Sequence, residues 1–312
     1  MGSIPPAFHP ASVEIVIPAR NEARRLPEGL GALCAKAATL PLRTAILVVD
    51  SASTDETGDI VRAWPDGPVP VGLLRCDRPG KGVAVRAGML ATRAPFVGFC
   101  DADMATDLSA LDHAISLLAA GHLMVIGSRA LGASLVQARS STARRVGAAL
   151  FRTLARGIVP GATDTQCGFK FFSGPLVRSA AASLRTPGFA FDIELISNCL
   201  RLGALLTEIP VCWHDMPGST FSVRRHSAAA FRDIASIWLR SHAARDARDV
   251  RGADGQPAGA MMRGAGPVPA QRSALLRPDL FADQELLAHG SVLANGSLLA
   301  DRGLLAAGVT TT

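Results

Sequence analysis

Two aspartates, Asp101 and Asp103, stand two residues apart directly after the apolar run FVGFC at residues 96–100. Like charges about 4 Å apart repel by roughly 4 kcal/mol near a protein surface, so such a pair favours a bound cation or substrate. Carboxylate oxygens are hard ligands that suit Mg²⁺ or Mn²⁺, above all when a substrate diphosphate completes the coordination shell. The spacing therefore predicts a divalent-metal site. The alternative interpretation is a helix N-cap aspartate beside a turn residue.

Three further polar clusters come directly after apolar runs. IPARNE at residues 17–22 could approach a planar base, or it could be a strand-to-helix turn with Glu22 at the helix N-terminus. Asp50 ends the run AILVVD and could accept hydrogen bonds from a base or a ribose, or take part in helix capping. Lys81, between two glycines at a predicted helix start, suits a phosphate, although the Walker A pattern is absent. Each cluster taken singly is also compatible with a structural role.

Two later segments, DTQCGFKFF at residues 164–172 and GFAFDIELI at 188–196, add polar side chains to apolar sequence. The alternation in FKFF predicts a strand. Asp192 and Glu194 lie two residues apart in a predicted helix and would point in different directions. We therefore expect at least one of them to face solvent or a site. The polar residues of the two segments are Asp164, Gln166, Lys170, Asp192 and Glu194.

The charge distribution favours anionic partners. The 312-residue chain carries a formal net charge of +6, and no acidic residue lies between Asp112 and Asp164. That interval predicts an electropositive face for nucleotides, phosphorylated lipids or a membrane surface. Nucleic-acid binding by base stacking is disfavoured, because the chain has no tyrosine and only 5% aromatic residues. The arginines of the interval are Arg129, Arg139, Arg144, Arg145, Arg152 and Arg156.

Residues 142–158 form a predicted amphipathic helix with arginines on one side and Val146, Leu150, Leu154 and Ile158 on the other. Such a helix either packs its apolar side on the protein's own core or lies at a lipid interface. No stretch of about 18 uncharged apolar residues is present, so we expect no membrane-spanning segment. The six cysteines show no CxxC spacing and predict free thiols in a reducing compartment.

The elements that must position these residues alternate along the chain. Strands are predicted at residues 13–18, 45–50, 71–76, 96–101, 122–128, 168–173 and 205–213, and helices at 22–38, from about 53, and at 81–93, 108–120, 142–158, 191–202 and 227–245. This alternation predicts an α/β domain with a mostly parallel sheet covered on both faces, whose ligands bind at the carboxyl ends of the strands. Residues 1–12 are expected to be an N-terminal extension. The Gly-, Pro- and Ala-rich sequence from residue 246 predicts a linker and a poorly ordered tail to residue 312.

Taken in order, eight motifs resemble glycosyltransferase family 2, with its Rossmann-like GT-A fold, and within it the group that glucosylates dolichyl or polyprenyl phosphate. The resemblance covers about residues 13–245. It extends over more than half of the chain and depends on the order of the motifs more than on any one of them. The motifs are IPARNE, VVDSASTDET, GKGVAVRAGM, DADMATD, GSR, DTQCGFKFF, FAFDIEL and EIPVCW.

The resemblance implies roles for residues at the matching positions. Asp101 and Asp103 would hold the metal, and Asp101 would also contact the donor. Asp192 falls where inverting members of the family place their catalytic carboxylate, and Arg129 would act beside it. The residues implied to line the nucleotide pocket are Pro18, Ala19, Arg20, Glu22, Asp50, Lys81 and Asp101. Those implied to bind the acceptor phosphate are Arg129, Arg139 and Arg144.

The activity implied by the resemblance is inverting transfer of a hexose, expected to be glucose, from a nucleotide diphosphate sugar, expected to be UDP-linked, to a polyprenyl phosphate. The enzyme would require Mg²⁺ or Mn²⁺ and bind peripherally at the cytoplasmic face of the membrane. A lipid monophosphate, with a second pKa near 6, is already charged at pH 7, so we expect Asp192 to orient groups more than to accept a proton. Two alternatives stay open: a soluble family 2 enzyme acting on a hydroxyl of a small molecule or glycan, and a non-catalytic nucleotide-sugar-binding or scaffold protein.

Overall fold

The computed structural model describes residues 11–137, 151–214 and 232–240. In these residues seven strands form one sheet in the order β3-β2-β1-β4-β7-β5-β8, and β6 and β9 form a small second sheet. The strands are β1 Val13–Ala19, β2 Thr44–Ser51, β3 Val71–Cys76, β4 Phe96–Cys100, β5 Met124–Ser128, β6 Leu135–Gln137, β7 Phe169–Ser173, β8 Thr207–Pro210 and β9 Cys212–His214. The predicted α/β sheet is confirmed, except that the single strand expected at 205–213 is divided into β8 and β9.

Six helices with defined bounds flank the sheet in the described residues. They are α1 Leu26–Ala38, α2 Thr57–Arg62, α3 Lys81–Ala91, α4 Ala110–Ala119, α5 Gly174–Ala182 and α6 Phe191–Arg201. Residues 151–158 and 232–240 are helical as well. The helices cover both faces of the sheet, which explains why its strands are nearly continuous apolar runs.

Strand β7 is the one antiparallel member among the described strands of the large sheet. It lies between β4 and β5 and runs antiparallel to both, while the other neighbouring strands pair in parallel. In this register Lys170 stands opposite Phe99 on one side and Ile126 on the other. The insertion therefore carries a lysine into the middle of the sheet, where both faces are buried.

The core has two layers, one on each face of the sheet. Alternate residues of β1 show the division, since Val16 belongs to one layer and Ile15 and Ile17 to the other. The first layer contains residues from α3, α5 and α6, among them Ala84, Met89, Val177, Phe191 and Leu195. The second contains residues from α1 and α4, among them Leu26, Leu30, Leu33, Leu111 and Ile115.

Two helices begin later than the sequence predicts. The helix expected from Glu22 begins at Leu26, and the helix expected near residue 53 begins at Thr57. The intervening loops contact each other: the Glu22 N–H donates to Thr57 Oγ1 at 2.9 Å, and the Asn21 N–H donates to Ser53 Oγ at 3.0 Å. These side-chain bonds between distant segments stabilise the loop conformation in place of a further helical turn.

Both carboxylates of α6 are buried, and neither faces solvent. Asp192 pairs with Lys170, as described below. Glu194 accepts hydrogen bonds from the N–H groups of Arg185 and Thr186, at 3.2 and 2.7 Å, and pairs with Arg240 at 3.1 Å. The two carboxylates therefore point to different sides of α6, and each has a positively charged partner there.

Glu194→Ala is expected to lower the free energy of unfolding by about 2 kcal/mol, because the buried Thr186 N–H, the partly buried Arg185 N–H and Arg240 lose their acceptor. Urea denaturation followed by circular dichroism measures the change. Glu28→Ala is the matched control, since Glu28 is exposed in the first turn of α1. Equal stability of the two variants would contradict this role for Glu194.

The predicted basic helix is described only from residue 151. Its buried side runs through Ala155 and Ile158, while Leu154 is 39% exposed. The apolar side predicted for this helix is therefore only partly on the core, since Ile158 is buried and Leu154 is exposed. Arg139, Arg144 and the predicted tail from residue 246 lie outside the described residues, so those predictions and the domain boundaries remain predictions.

Two other expectations concern cysteines and membrane crossing. All six cysteines are free thiols in the structure. Within the described parts of the chain, no helix combines the length and the apolar character needed to cross a bilayer.

Candidate active site

The candidate site lies where the loops after β1, β2, β3 and β4 meet at the carboxyl ends of these parallel strands, as in other open α/β sheets. The loop after β1 carries Glu22 and Arg25, β2 ends near Asp50, and α3 begins at Lys81. The loop after β4 begins with Asp101 and Asp103. A small cavity beside Asp101 is lined by residues that include Met104, Thr106, Gly168, Phe169 and Trp213.

Backbone contacts fix the position of the Asp101–Asp103 couple. The Asp101 N–H donates to the Gly168 carbonyl at 3.0 Å, and a Cβ atom on Gly168 would lie only 2.1 Å from Asp101 Oδ2. Glycine at 168 is thus required for the carboxylate to lie against the backbone. Met104 has φ 46°, in the left-handed region, and the Ala105 N–H donates to Asp103 Oδ1 at 3.3 Å. A tight turn therefore places the two carboxylates at the mouth of the crevice.

Two cations face the couple. Lys81 Nζ lies 2.6 Å from Asp101 Oδ1, and the Arg25 guanidinium lies 3.8 Å from Asp103 Oδ2. Arg25 also makes two hydrogen bonds to Glu22, at 2.8 and 2.6 Å. The arrangement brings Glu22, Lys81, Asp101 and Asp103 together, as the sequence predicts, and adds Arg25.

Burial and mutual repulsion both raise the pKa values of Glu22 and Asp103. Burial raises the pKa of Glu22, and the charges of Asp103 and Asp101 add to this effect while Arg25 opposes it. Burial also raises the pKa of Asp103, with a further contribution from Asp101. The three carboxylates therefore repel one another in a partly dry crevice, and added positive charge would stabilise them.

The donor set fits a divalent cation that receives further ligands from a substrate. In the described residues no group of three or more His, Cys, Asp or Glu side chains could hold a metal ion by itself. Two carboxylates can, however, hold Mg²⁺ or Mn²⁺ together with phosphate oxygens and water. Asp101 Oδ1 is buried and lies 2.6 Å from Lys81 Nζ, so a divalent cation at this atom would take the place of the ammonium.

A buried ion pair lies behind the couple. Lys170 Nζ is 2.7 Å from Asp192 Oδ1 and donates to the Cys167 carbonyl at 2.6 Å, and the ring of Phe99 lies 5.2 Å from it. Lys170 is 0% exposed and Asp192 only 2%. Burial raises the pKa of Asp192, while the charges of Lys170 and Lys81 oppose this effect. Asp192 is therefore a carboxylate already held by a protein ammonium.

The Arg129 guanidinium forms a forked pair with Asp164. Nε lies 2.7 Å from Oδ2 and an Nη 3.0 Å from Oδ1, and the Arg129 backbone N–H also donates to Oδ2 at 3.1 Å. Burial alone would raise the pKa of Asp164, but hydrogen bonds and charge from Arg129 lower it below the ordinary value. The indole of Trp213 lies 5.5 Å from the guanidinium carbon. Arg129 is thus rigidly held beside the cavity.

The remaining predicted nucleotide residues lie at the ends of β1 and β2. Asp50 is 1% exposed, accepts from the Ser53 N–H at 3.0 Å and lies 3.5 Å from Arg75 Nε. Ala19 is buried, Pro18 is partly buried and Arg20 is exposed. Asp50 therefore orders its own loop, whereas Pro18 and Arg20 are at least partly exposed at the end of β1.

Comparison with known proteins decides the family. A family model described as Glycosyl transferase family 2 matches residues 14–172, about half of the chain. The chain belongs to glycosyl transferase family 2. The resemblance of its motifs to this family is thereby confirmed, and this family 2 protein is an enzyme that transfers a sugar.

Several curated relatives of this family 2 enzyme are dolichyl-phosphate β-glucosyltransferases. It is similar to dolichyl-phosphate β-glucosyltransferase of Drosophila melanogaster, with 33% identity over 252 residues that cover 73% of this chain and 74% of the relative. It is 29% identical to the Saccharomyces cerevisiae protein of the same name over 249 residues, 72% and 73% of the two chains. The human protein of that name is 31% identical over 229 residues, 66% and 68% of the two chains.

Solved structures support the GT-A fold of this family 2 enzyme. Glucosyl-3-phosphoglycerate synthase from Mycobacterium tuberculosis, solved in complex with Mn²⁺, UDP and glucosyl-3-phosphoglycerate, matches with a TM-score of 0.55. The match has 20% sequence identity and covers 74% of this chain and 80% of that one. At this identity the likeness concerns the fold, and the predicted fold class is confirmed.

Proposed function

We propose that this enzyme transfers glucose from UDP-glucose, with inversion at the anomeric carbon, to the phosphate of a dolichyl or polyprenyl phosphate. The observation that carries the proposal is similarity at about one-third identity, over about three-quarters of both chains, to a dolichyl-phosphate β-glucosyltransferase. The crevice is compatible with it, because carboxylates and cations that suit a diphosphate converge at the strand ends. The metal and the nucleotide of the M. tuberculosis enzyme are consistent with the same donor chemistry.

On the donor side, Asp101 and Asp103 would hold a divalent cation, which when bound supplies charge neutralisation for the departing diphosphate. Lys81 and Arg25 add positive charge beside the same phosphates. Pro18, Ala19 and Arg20 would contact the nucleoside, with Glu22 and Asp50 ordering the loops around it. These residues orient the donor so that its anomeric carbon faces the cavity beside Asp101.

On the acceptor side, a phosphate oxygen would attack the anomeric carbon while the bond from that carbon to the diphosphate oxygen breaks. The products would be a β-linked glucosyl phospholipid and UDP. Because a phosphate monoester is already ionised at pH 7, no proton has to be removed from it. Asp192, held by Lys170, suits an orienting and electrostatic role. Arg129, with Arg139 and Arg144, would bind the acceptor phosphate.

The enzyme would act at the cytoplasmic face of a membrane, bound peripherally. The net charge of +6 and the exposed Arg152 and Arg156 support attraction to anionic headgroups. Cosedimentation with vesicles that contain anionic lipid, compared with neutral vesicles, tests this part of the proposal. Equal recovery in the supernatant with both would count against it.

A donor and acceptor panel tests the reaction. Purified full-length protein with Mn²⁺ is incubated with UDP- and GDP-hexoses against polyprenyl phosphate, free polyprenol and 3-phosphoglycerate, and products are identified by mass spectrometry. We expect a hexosyl phospholipid from UDP-glucose and polyprenyl phosphate. Transfer to a hydroxyl acceptor without product from polyprenyl phosphate would refute the proposed acceptor.

Arg129→Lys is expected to raise the KM for polyprenyl phosphate about tenfold, since lysine keeps the charge but loses the planar fork that holds Asp164 and would face the acceptor. The KM for UDP-glucose should change less than twofold. Steady-state kinetics with each substrate varied in turn measure the two constants, with Arg43→Lys as the control at an exposed position. A rise in the donor KM alone would remove Arg129 from the acceptor site.

A further inference from the structure

Lys81 combines a fixed backbone with a movable charge. Its flanking glycines pack against the loop before α6: the Gly82 N–H donates to the Pro187 carbonyl at 2.9 Å, and a Cβ on Gly82 would lie 2.2 Å from the Thr186 carbonyl oxygen. Gly80 has φ 145°, and a Cβ there would lie 2.5 Å from the Pro187 carbonyl oxygen. The backbone at Lys81 is therefore held in place, and only the four-carbon stem can carry the ammonium to another position.

The side-chain amine of Lys81 is protonated although the side chain is mostly buried. Its side chain is 19% exposed. Burial alone would lower its pKa, but the charges of Asp101, Asp192 and Asp103 raise it above the ordinary value. A permanent positive charge thus stands against the carboxylate couple that would hold a divalent cation. Any cation at Asp101 has to compete with it.

Arg25 differs from Lys81 in mobility. Its guanidinium is held by two hydrogen bonds to Glu22 and reaches Asp103 only at 3.8 Å, so it can remain in place when another ligand arrives. The Lys81 ammonium contacts Asp101 at 2.6 Å, and no second hydrogen-bond or ion-pair partner of this ammonium is seen in the described part of the chain. Because its side chain is flexible and partly exposed, Lys81 can exchange this carboxylate for another anion that binds beside it.

We infer that Lys81 is an exchangeable counter-ion of the Asp101–Asp103 couple. Its ammonium leaves Asp101 for an oxygen of the donor's diphosphate, and Asp101 is thereby released to hold the divalent cation. This inference rests on the proposed function, because it presumes a diphosphate donor and a metal at the couple. No covalent bond changes in the exchange. It links the binding of cation and donor, so that neither reaches full affinity without the other.

Lys81→Met tests the exchange, because methionine keeps most of the side-chain length without the charge. Binding of Mn²⁺ to full-length protein is measured by electron paramagnetic resonance of the free ion, with and without UDP. Without UDP, the variant should bind Mn²⁺ about tenfold more tightly than wild type, since a like charge about 4 Å away has been removed. With UDP bound, the two proteins should bind Mn²⁺ within about twofold of each other.

The ratio of the two affinities separates exchange from simple repulsion. If Lys81 moves to the diphosphate, the factor by which UDP strengthens Mn²⁺ binding falls about tenfold in Lys81→Met. If Lys81 stays at Asp101, the variant should bind Mn²⁺ more tightly than wild type by the same factor with and without UDP. UDP would then strengthen Mn²⁺ binding equally in the two proteins, and that result would overturn the inference. Lys81→Gln should behave as Lys81→Met does. Lys36→Met, which removes a lysine paired with Asp112 away from the couple, should match wild type.

Asp103→Asn distinguishes failure of this inference from failure of the proposed function. Loss of Mn²⁺ binding in Asp103→Asn, together with no gain in Lys81→Met, would overturn the exchange while the proposed metal site stands. Wild-type Mn²⁺ binding by Asp103→Asn would contradict the metal site itself. Circular dichroism of each variant confirms that the proteins compared are folded.

Discussion

Asp103→Asn is expected to lower kcat by about 10³-fold at saturating UDP-glucose and polyprenyl phosphate. The substitution removes one of two anionic ligands from the proposed cation, whose stabilisation of the departing diphosphate is worth several kcal/mol. A loss of about 4 kcal/mol corresponds to about 10³-fold in rate. Initial rates of UDP release across a Mn²⁺ titration measure the effect.

The matched control for Asp103→Asn is Asp107→Asn, four residues along the same loop. Asp107 is exposed and accepts a hydrogen bond from the Ser109 N–H at 2.8 Å, so it supports the start of α4 and does not face the couple. Its substitution should leave the rate within about twofold of wild type, as is usual for surface positions. Equal rates for Asp103→Asn and wild type at saturating Mn²⁺ would contradict the assignment of Asp103 to the metal.

Lys170→Met is expected to lower the free energy of unfolding by about 3–5 kcal/mol and to abolish activity. It leaves Asp192 as an uncompensated charge in a position that water barely reaches, and breaking one side of a buried pair has a cost of this size. Urea denaturation measures stability, and UDP release measures turnover. Lys36→Met, which affects a partly exposed pair, should cost less than about 1 kcal/mol.

A double variant separates the structural role of the pair from its role in the site. Replacing both partners of a buried ion pair by apolar residues is often neutral or stabilising. Lys170→Met with Asp192→Val should therefore recover most of the lost stability and remain inactive, because Asp192 is proposed to orient the reacting groups. Recovery of activity with stability would show that the pair serves folding alone.

The central strands β1, β2 and β4 could be predicted from the sequence because they are buried on both faces and consist mostly of apolar residues. The starts of α1 and α2 could not, because hydrogen bonds join the loops around Asn21 and Ser53, which are 32 residues apart. Secondary-structure propensity depends on neighbouring residues in the sequence and cannot predict a contact between distant segments. The alternation of strands and helices also could not predict that β7 lies antiparallel between β4 and β5, since both of these strands precede it by many residues.

The candidate site was predicted where residue type and spacing suffice. Asp101 follows β4 directly, and Glu22, Lys81 and Asp103 lie three to five residues beyond strand ends, where the sheet brings such positions together. Arg25 was missed because the sequence placed it inside a helix, whereas the observed loop carries it to Asp103. Lys170 was noted without a role. A lysine between phenylalanines in a strand buried on both faces requires an acidic partner, and that signal could have linked Lys170 to Asp192.

Arg129 shows a different limit of sequence reasoning. An arginine in a segment without acidic residues suggests a free cation, yet Asp164, at the far end of that segment, pairs with it in the fold. The charge of Arg129 is therefore already balanced by Asp164 before any acceptor binds. The acceptor phosphate would have to gain its remaining stabilisation from other cations, and Arg139 and Arg144 are the proposed ones.

Phosphorus NMR of one reaction mixture tests the central claim most directly, because it observes the acceptor phosphate itself. Purified protein, Mn²⁺, UDP-glucose and polyprenyl phosphate in detergent are followed over time. The account predicts that the phosphomonoester signal of the lipid converts to a phosphodiester signal as UDP appears in equal amount, and that EDTA stops both changes. Release of UDP while the phosphomonoester signal stays unchanged would contradict it.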